Sequence, residues 1–279
     1  ISSASNNRNM LQIVFVAILV GIALIQIPSK KSKVFLDFFE GLNEIVLKVI
    51  DIIMLMAPIG VFSLISQTIN KVVGNNLSQV IELLGALGFY MFTLTLGLIL
   101  HVAITYFSLL KFYTKMPIQT FLQGISPAQL LAFSTSSSGA TLPITMERCE
   151  EKLGVSEEVS SFVLPLGATI NMDGTAQYQA VAAVFISQAL GMDLSIADQI
   201  TIILTTVLAS IGTAAVPAAG IIMLIIILES VGVPSAGVAL ILGVDRILDM
   251  VRTTVNVTGD AAVAVSVAAS ENQLKTFGK

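Results

Sequence analysis

The strongest candidates for chemistry lie in one C-terminal segment, which reads DRILDMVRTTVNVTGD from Asp245 to Asp260. On a helix with about 100° per residue, its main polar residues share an arc of roughly 80°. These residues are Asp245, Asp249, Arg252, Asn256 and Asp260. A salt-bridged strut would need only Asp249 and Arg252. The additional amide and carboxylate on the same face predict a functional cavity rather than a strut.

A second segment, GATINMDGT at residues 167–175, places Asn171 and Asp173 beside Gly174 in apolar surroundings. Glycine permits local unwinding, and unwound carbonyls together with these two side chains would form an all-oxygen site. Such a site suits a small alkali cation such as sodium better than metals that prefer nitrogen or sulfur. The alternative, an aspartate hydrogen-bonded to a neighbour, stays open at this point.

Two further segments carry the residues of chain turns rather than of long helices. STSSSGATLP at 134–143 crowds six hydroxyl side chains around a glycine and ahead of a proline, and SIGTAAVPAAG at 210–220 is small and uncharged. Turns of this kind leave backbone polar groups open for a ligand, and the second segment could act as a closing lid. The alternative for both is a small-residue contact between helices.

Composition decides where these motifs must sit. Of 279 residues, 55% are hydrophobic and only 11% charged, against about 25% charged in soluble domains. A soluble enzyme is therefore close to excluded, as are nucleic-acid binding, a disulfide framework and cysteine-rich metal sites, because the chain has one cysteine and a net charge of −4. His101 is predicted to be a satisfied interior group rather than a proton relay.

The distribution of lysine and arginine between the apolar stretches predicts the topology. Basic residues at 30–33, 111–115, 148–152 and 275–279 mark inside connections. The connection near Lys71, which has a single lysine, and the connections near 193–198 and 232, which have no lysine or arginine, are predicted to lie outside. The stretches 121–146 and 200–228 must then each enter the membrane and return to the side from which they came, the first from the inside and the second from the outside. The opening run from Met10 is long enough to span a membrane and is not a signal peptide, and we expect the chain to begin inside a longer protein.

The predicted fold class is an all-α membrane protein, a multi-span helical bundle. Two units, about 119–191 and 196–272, each combine a re-entrant helical hairpin with a helix and have opposite orientations. This arrangement is an inverted repeat, and interrupted segments at matching positions of two such halves point to a transporter binding site.

In these four motifs the chain resembles the dicarboxylate/amino acid:cation symporters, the family of glutamate and aspartate transporters, from near residue 10 to near residue 272. The resemblance implies that the chain lacks the first three transmembrane helices and assembles as a homotrimer. It also implies partial scaffold, trimerisation and peripheral helices at 1–118, a transport core at 119–272 containing hairpin 1, helix 7, hairpin 2 and helix 8, and a cytoplasmic tail at 273–279.

The resemblance further implies a substrate pocket. The main-chain carboxylate of an amino acid would meet the first hairpin and Asn256, its ammonium group would meet Asp249 and Thr253, and Arg252 would hold an acidic side chain. The implied substrate residues are Ser136, Ser138, Thr175, Val216, Gly220, Asp249, Arg252, Thr253 and Asn256. An aspartate at 249 favours an amino acid over a C4-dicarboxylate, and the arginine at 252 disfavours neutral amino acids.

Three sodium sites follow from the same resemblance. The first would use Gly167, Asn171, Asn256 and Asp260. The second would use carbonyl groups of Thr169, Ser210, Ile211 and Thr213. The third would use Asn171 and Asp173. Met172 and Asp260 favour sodium over proton coupling.

We therefore expect a sodium-coupled symporter of aspartate or glutamate that works by alternating access, with sodium ions co-transported, in the membrane of a bacterium or archaeon. The alternatives are a proton-coupled glutamate symporter, a C4-dicarboxylate symporter and, from another class, a ligand-gated anion channel.

Overall fold

The computed structural model describes residues 10–55, 59, 63, 77–211 and 213–275. The predicted outside connection near Lys71 and residues 276–279 of the tail lie outside the described residues. Within those ranges the chain is helical without strands, apart from an isolated bridge between Val155 and Leu274. The chain divides into two compact units, residues 1–63 and 64–279.

The first unit contains two packed helices, α1 (Met10–Gln26) and α2 (Ser29–Leu55). Pro28 separates them because proline cannot donate the backbone hydrogen bond that would continue α1. Its carbonyl accepts hydrogen bonds from the backbone of Lys31 and Ser32, which starts the next helix.

The second unit begins with one continuous helical segment, which consists of α3 (Leu77–His101), a π turn (Val102–Tyr106) and α4 (Phe107–Tyr113). Within the part of the chain that the structure describes, Ile81–Tyr113 is the one stretch long and apolar enough to cross a membrane. Its outer surface carries exposed Phe89, Phe92 and Ile104. An apolar surface of this kind is suited to lipid or to another protein segment.

The first hairpin consists of α5 (Ile118–Thr135) and α6 (Ser138–Glu151), which pack against each other. The chain reverses at Ser136, which has the left-handed conformation with φ of 55°. The side chain of Ser137 then caps α6 by accepting a hydrogen bond from the backbone N–H of Ala140 at 3.1 Å. The turn predicted within residues 134–143 is confirmed.

The next two helices, α7 (Glu157–Ile170) and α8 (Asp173–Ala189), are separated at Asn171 and Met172. The predicted unwinding is therefore correct in kind, but Gly174 is helical. Its missing side chain serves close packing instead, because a Cβ at 174 would lie 2.9 Å from the carbonyl oxygen of Arg252.

The second hairpin consists of α9 (Ile196–Ile211) and α10 (Ala219–Ser230), and both arms pack on α8. A 3₁₀ helix (Ser235–Leu240) leads into α11 (Leu242–Ser270), which contains the whole predicted polar face. Helix α11 is the centre of this unit, since it packs against α3 to α8. The all-helical fold is confirmed, whereas re-entrant insertion and the inverted repeat stay predictions.

Candidate substrate and cation sites

The tips of the two hairpins meet at the carbonyl group of Ala215. The Ala215 oxygen accepts hydrogen bonds from the Ser137 hydroxyl at 2.8 Å and from the Gly139 backbone N–H at 3.2 Å. A side chain at Gly139 would press against this oxygen, with its Cβ 3.2 Å away. The missing side chain at Gly139 therefore allows the two tips to approach closely.

A cavity lies beneath the touching tips and collects most of the predicted substrate residues. Its lining residues are Ser136, Ser138, Met172, Thr175, Thr213, Ala214, Ala215, Val216, Arg252, Thr253 and Asn256. Only about 10 Å³ is open to the centre of a water molecule, which is room for about one water. An amino acid can therefore enter only if the hairpins or the Arg252 side chain move.

Arg252 fills the space beside this cavity and is 4% exposed. Its Nη2 donates a hydrogen bond to Oδ1 of Asp249, which is also buried. Its guanidinium carbon lies 4.9 Å from the centre of the Tyr178 ring, a cation–π contact. Gly220 also lies against this guanidinium, because a Cβ at 220 would overlap Arg252 Nη1.

Asp249 connects this arginine with the second hairpin. Its Oδ2 accepts a hydrogen bond of 2.9 Å from the backbone N–H of Ala218, and its Oδ1 lies 3.4 Å from the Thr253 hydroxyl. Ala218 has a φ of 61°, which strains a residue with a side chain. A charged group on α11 therefore holds the second hairpin in place through its backbone.

Some polar atoms around the cavity lack a hydrogen-bond partner within the described residues. They are the Ser136 hydroxyl, Arg252 Nε and the Gln179 side-chain oxygen, all buried. Buried polar atoms are rarely left unpaired, so such atoms mark a place where a polar ligand can bind.

Asn256 is directed toward α8. Its Oδ1 accepts a hydrogen bond from the backbone N–H of Gly174 at 2.8 Å, and its Nδ2 donates one to the Thr175 hydroxyl at 3.0 Å. The predicted substrate residues Thr175 and Asn256 are thus in contact with each other.

Two of the residues predicted for the first cation site, Gly167 and Asn171, lie next to the Asp260 side chain, which is 4% exposed, whereas the Asn256 side chain bonds to α8. The Asn171 side-chain N–H donates to Asp260 Oδ1 at 3.0 Å, and a Cβ at Gly167 would lie 2.6 Å from the same oxygen. The carboxylate thus lies against the last turn of α7, where helix carbonyls lack intrahelical partners. This combination of carboxylate and carbonyl oxygens fits a hard cation.

The residues predicted for the second cation site lie at two helix ends. Thr169 is in the last turn of α7, Ser210 and Ile211 end α9, and the two helices are in contact. Thr213 follows, and its hydroxyl donates to the Ala209 carbonyl at 2.8 Å. Each of these helices ends in carbonyl groups without intrahelical partners and in the negative end of its dipole, and both favour a cation at that end; the second cation site itself stays a prediction.

The third predicted pair is not joined through its side chains. Asn171 bonds to Asp260, whereas Asp173 Oδ2 accepts hydrogen bonds of 3.1 Å from His101 Nε2 and from the Tyr106 hydroxyl. The hydrogen-bonded alternative for Asp173 is therefore present in the structure. His101 is indeed a satisfied group.

Several residues of the site were not identified from the sequence, among them Tyr178 under Arg252 and Gln179, whose Nε2 donates to the Gly220 carbonyl at 3.3 Å. Thr175, Tyr178 and Gln179 have the i, i+3, i+4 spacing of one helix face. Polar residues with this spacing in an apolar helix could have revealed them.

Known proteins resemble this chain over most of its length. The sequence model described as the Sodium:dicarboxylate symporter family matches residues 1–270. The excitatory amino acid transporter of Caenorhabditis elegans is 40% identical over 257 residues, which cover 92% of this chain and 50% of the relative. Excitatory amino acid transporter 3 of Mus musculus is 42% identical, with 92% and 48% covered, and excitatory amino acid transporter 2 of Homo sapiens is 41% identical, with 92% and 44% covered.

The chain thus spans about half the length of the curated relatives it matches. These relatives are animal proteins, so they give no support to the predicted bacterial or archaeal membrane. They are named as transporters and not as enzymes. Since the family match covers nearly the whole chain, the chain belongs to the sodium:dicarboxylate symporter family.

Proposed function

We propose that this chain forms the transport core of a sodium-coupled symporter for acidic amino acids, aspartate or glutamate, in a multi-pass membrane protein. The observation that carries the proposal is the buried ion pair of Arg252 and Asp249 beside the cavity that the two hairpins close.

The ion pair of Arg252 and Asp249 selects the substrate, because a substrate that separates the pair must supply a new partner for each charge. Removing one partner of a buried pair leaves the other charge uncompensated and costs about 3 to 5 kcal/mol. An acidic amino acid replaces both partners at once, because its side-chain carboxylate can bind Arg252 while its ammonium group binds Asp249. A C4-dicarboxylate would satisfy Arg252 but leave Asp249 unpaired, and a neutral amino acid would do the reverse.

Sodium coupling is supported by the position of Asp260. This carboxylate lies near Gly167 and Asn171, and Asn171 is the first residue of the break between α7 and α8. Asn256 belongs to the same region and also lines the substrate cavity. A sodium ion bound at Asp260 would therefore stabilise the local backbone that shapes the substrate cavity, which is a direct route for coupling.

The transport core in this proposal is residues 119–272. Each half contains a helical hairpin, α5–α6 or α9–α10, and their tips meet at Ala215. Re-entrant insertion of both hairpins, an inverted repeat, alternating access through opening of the second hairpin, and a homotrimer complete the proposal. The sequence resemblance supports these features.

Calorimetric titration of the full-length protein tests the coupling. We expect aspartate to bind in sodium chloride and to bind at least about tenfold more weakly in choline chloride, with succinate failing to compete in either salt. Equal aspartate affinity in both salts, or displacement of aspartate by succinate, would contradict the proposal. Affinity in choline that rises with acidity would point to proton coupling instead.

A further inference from the structure

The π turn at Val102–Tyr106 brings two side chains to one face that a regular helix would keep apart. In an α-helix, residues five apart are separated by about 140° around the axis. In this turn the Phe107 N–H bonds to the Val102 carbonyl, five residues back. The wider turn places the His101 and Tyr106 rings edge to face, with their centres 4.9 Å apart.

Both side chains donate to the same oxygen. His101 Nε2 and the Tyr106 hydroxyl each lie 3.1 Å from Asp173 Oδ2. The Thr105 hydroxyl lies 3.3 Å from His101 Nδ1. It can donate there, which leaves the ring proton on Nε2 for the carboxylate. Oδ2 of Asp173 therefore accepts two hydrogen bonds, and Oδ1 is the oxygen that can bind another partner.

Helix α11 has a gap that fits this tyrosine. Tyr106 is 2% exposed, and a Cβ at Gly259 would overlap its hydroxyl group. Gly259 directly precedes Asp260, the carboxylate at the centre of the first candidate cation site. The phenol is thus fixed by packing as well as by its hydrogen bond.

We propose that the π turn is a positioning device for a cation site at Asp173, and that Tyr106 and His101 are its positioning residues. They hold one carboxylate oxygen, which orients the other toward the break between α7 and α8, where backbone carbonyls can complete an all-oxygen site for a small alkali cation. The inference rests on the proposed sodium coupling and adds two residues of α3 and the π turn to it.

The test is the sodium dependence of aspartate binding in the full-length Tyr106→Phe protein, which lacks only the hydroxyl group. Partners that orient a metal ligand typically contribute about 10- to 100-fold to metal affinity. We expect the sodium concentration for half-maximal aspartate binding to rise about tenfold, with aspartate affinity at saturating sodium unchanged. His101→Phe, which keeps a ring but removes the donor, should shift sodium dependence in the same direction.

Tyr113→Phe is the matched control, because Tyr113 is an exposed tyrosine at the end of α4, which continues directly from the π turn. It should leave sodium dependence unchanged. Sodium dependence in Tyr106→Phe equal to that of the unmodified protein, or a loss of aspartate affinity at all sodium concentrations, would overturn the positioning role. If the unmodified protein binds aspartate without sodium, the proposed coupling itself fails, and the two failures are thereby distinguished.

Discussion

Replacing Arg252 with cysteine is expected to lower the affinity for aspartate by about a hundredfold or more, since it removes the buried partner of an acidic side chain. The Asp249 carboxylate remains and still attracts an ammonium group. Small neutral amino acids such as serine or alanine should therefore compete better in Arg252→Cys than in the unmodified protein. Competition binding with labelled aspartate, and with labelled serine, measures both changes.

Arg246 offers a matched control in the same helix. It is exposed, whereas Arg252 is buried against Asp249 and Tyr178. Arg246→Cys removes the same charge from α11 and should leave aspartate affinity within about twofold, because an exposed charge contributes little. Unchanged aspartate affinity in Arg252→Cys would show that the assignment of Arg252 is wrong.

Replacing Gly220 with alanine is expected to weaken aspartate binding by about ten- to a hundredfold without unfolding the protein. The new methyl group would overlap the terminal Nη1 of Arg252. The end of a flexible side chain can move aside, so the fold should persist. The displaced guanidinium would, however, lose the geometry that a bidentate carboxylate contact requires, and hydrogen bonds between charged groups contribute about 1.5 to 3 kcal/mol.

Gly85→Ala is the control for this change. A Cβ at 85 meets nothing within 4 Å, and alanine is favoured over glycine in a helix. Its aspartate affinity should be unchanged. Thermal unfolding of both variants separates the two effects: Gly220→Ala with a normal transition and normal aspartate affinity would exclude the close packing of Gly220 on Arg252.

The sequence predicted the helix that carries the site because its information was local. From Asp245 to Asp260 the polar residues recur with helical spacing, and the structure places this stretch within α11. The two hairpin turns were predictable for the same reason, since glycine, proline and hydroxyl residues cluster where the chain reverses. Those clusters contain Ser136 and Ala218, which have left-handed backbone conformations.

Features that depend on packing between distant segments were not predictable. The helix break was predicted near Gly174 but lies at Asn171 and Met172. Gly174 does not unwind the helix; its missing side chain allows α11 to pack closely against α8. The partners of Asp173 were also missed. His101 and Tyr106 are five residues apart, and helical periodicity would place them on different faces, so only the π turn reveals that they act together.

The most direct measurement of the central claim is uptake of labelled aspartate by the full-length protein reconstituted in proteoliposomes, with and without an inward sodium gradient. We expect accumulation above equilibrium when the gradient is present, collapse of that accumulation when a sodium ionophore is added, and no accumulation with choline outside. Accumulation that is equal without sodium, or an aspartate-gated anion current with no accumulation under any gradient, would contradict sodium-coupled symport.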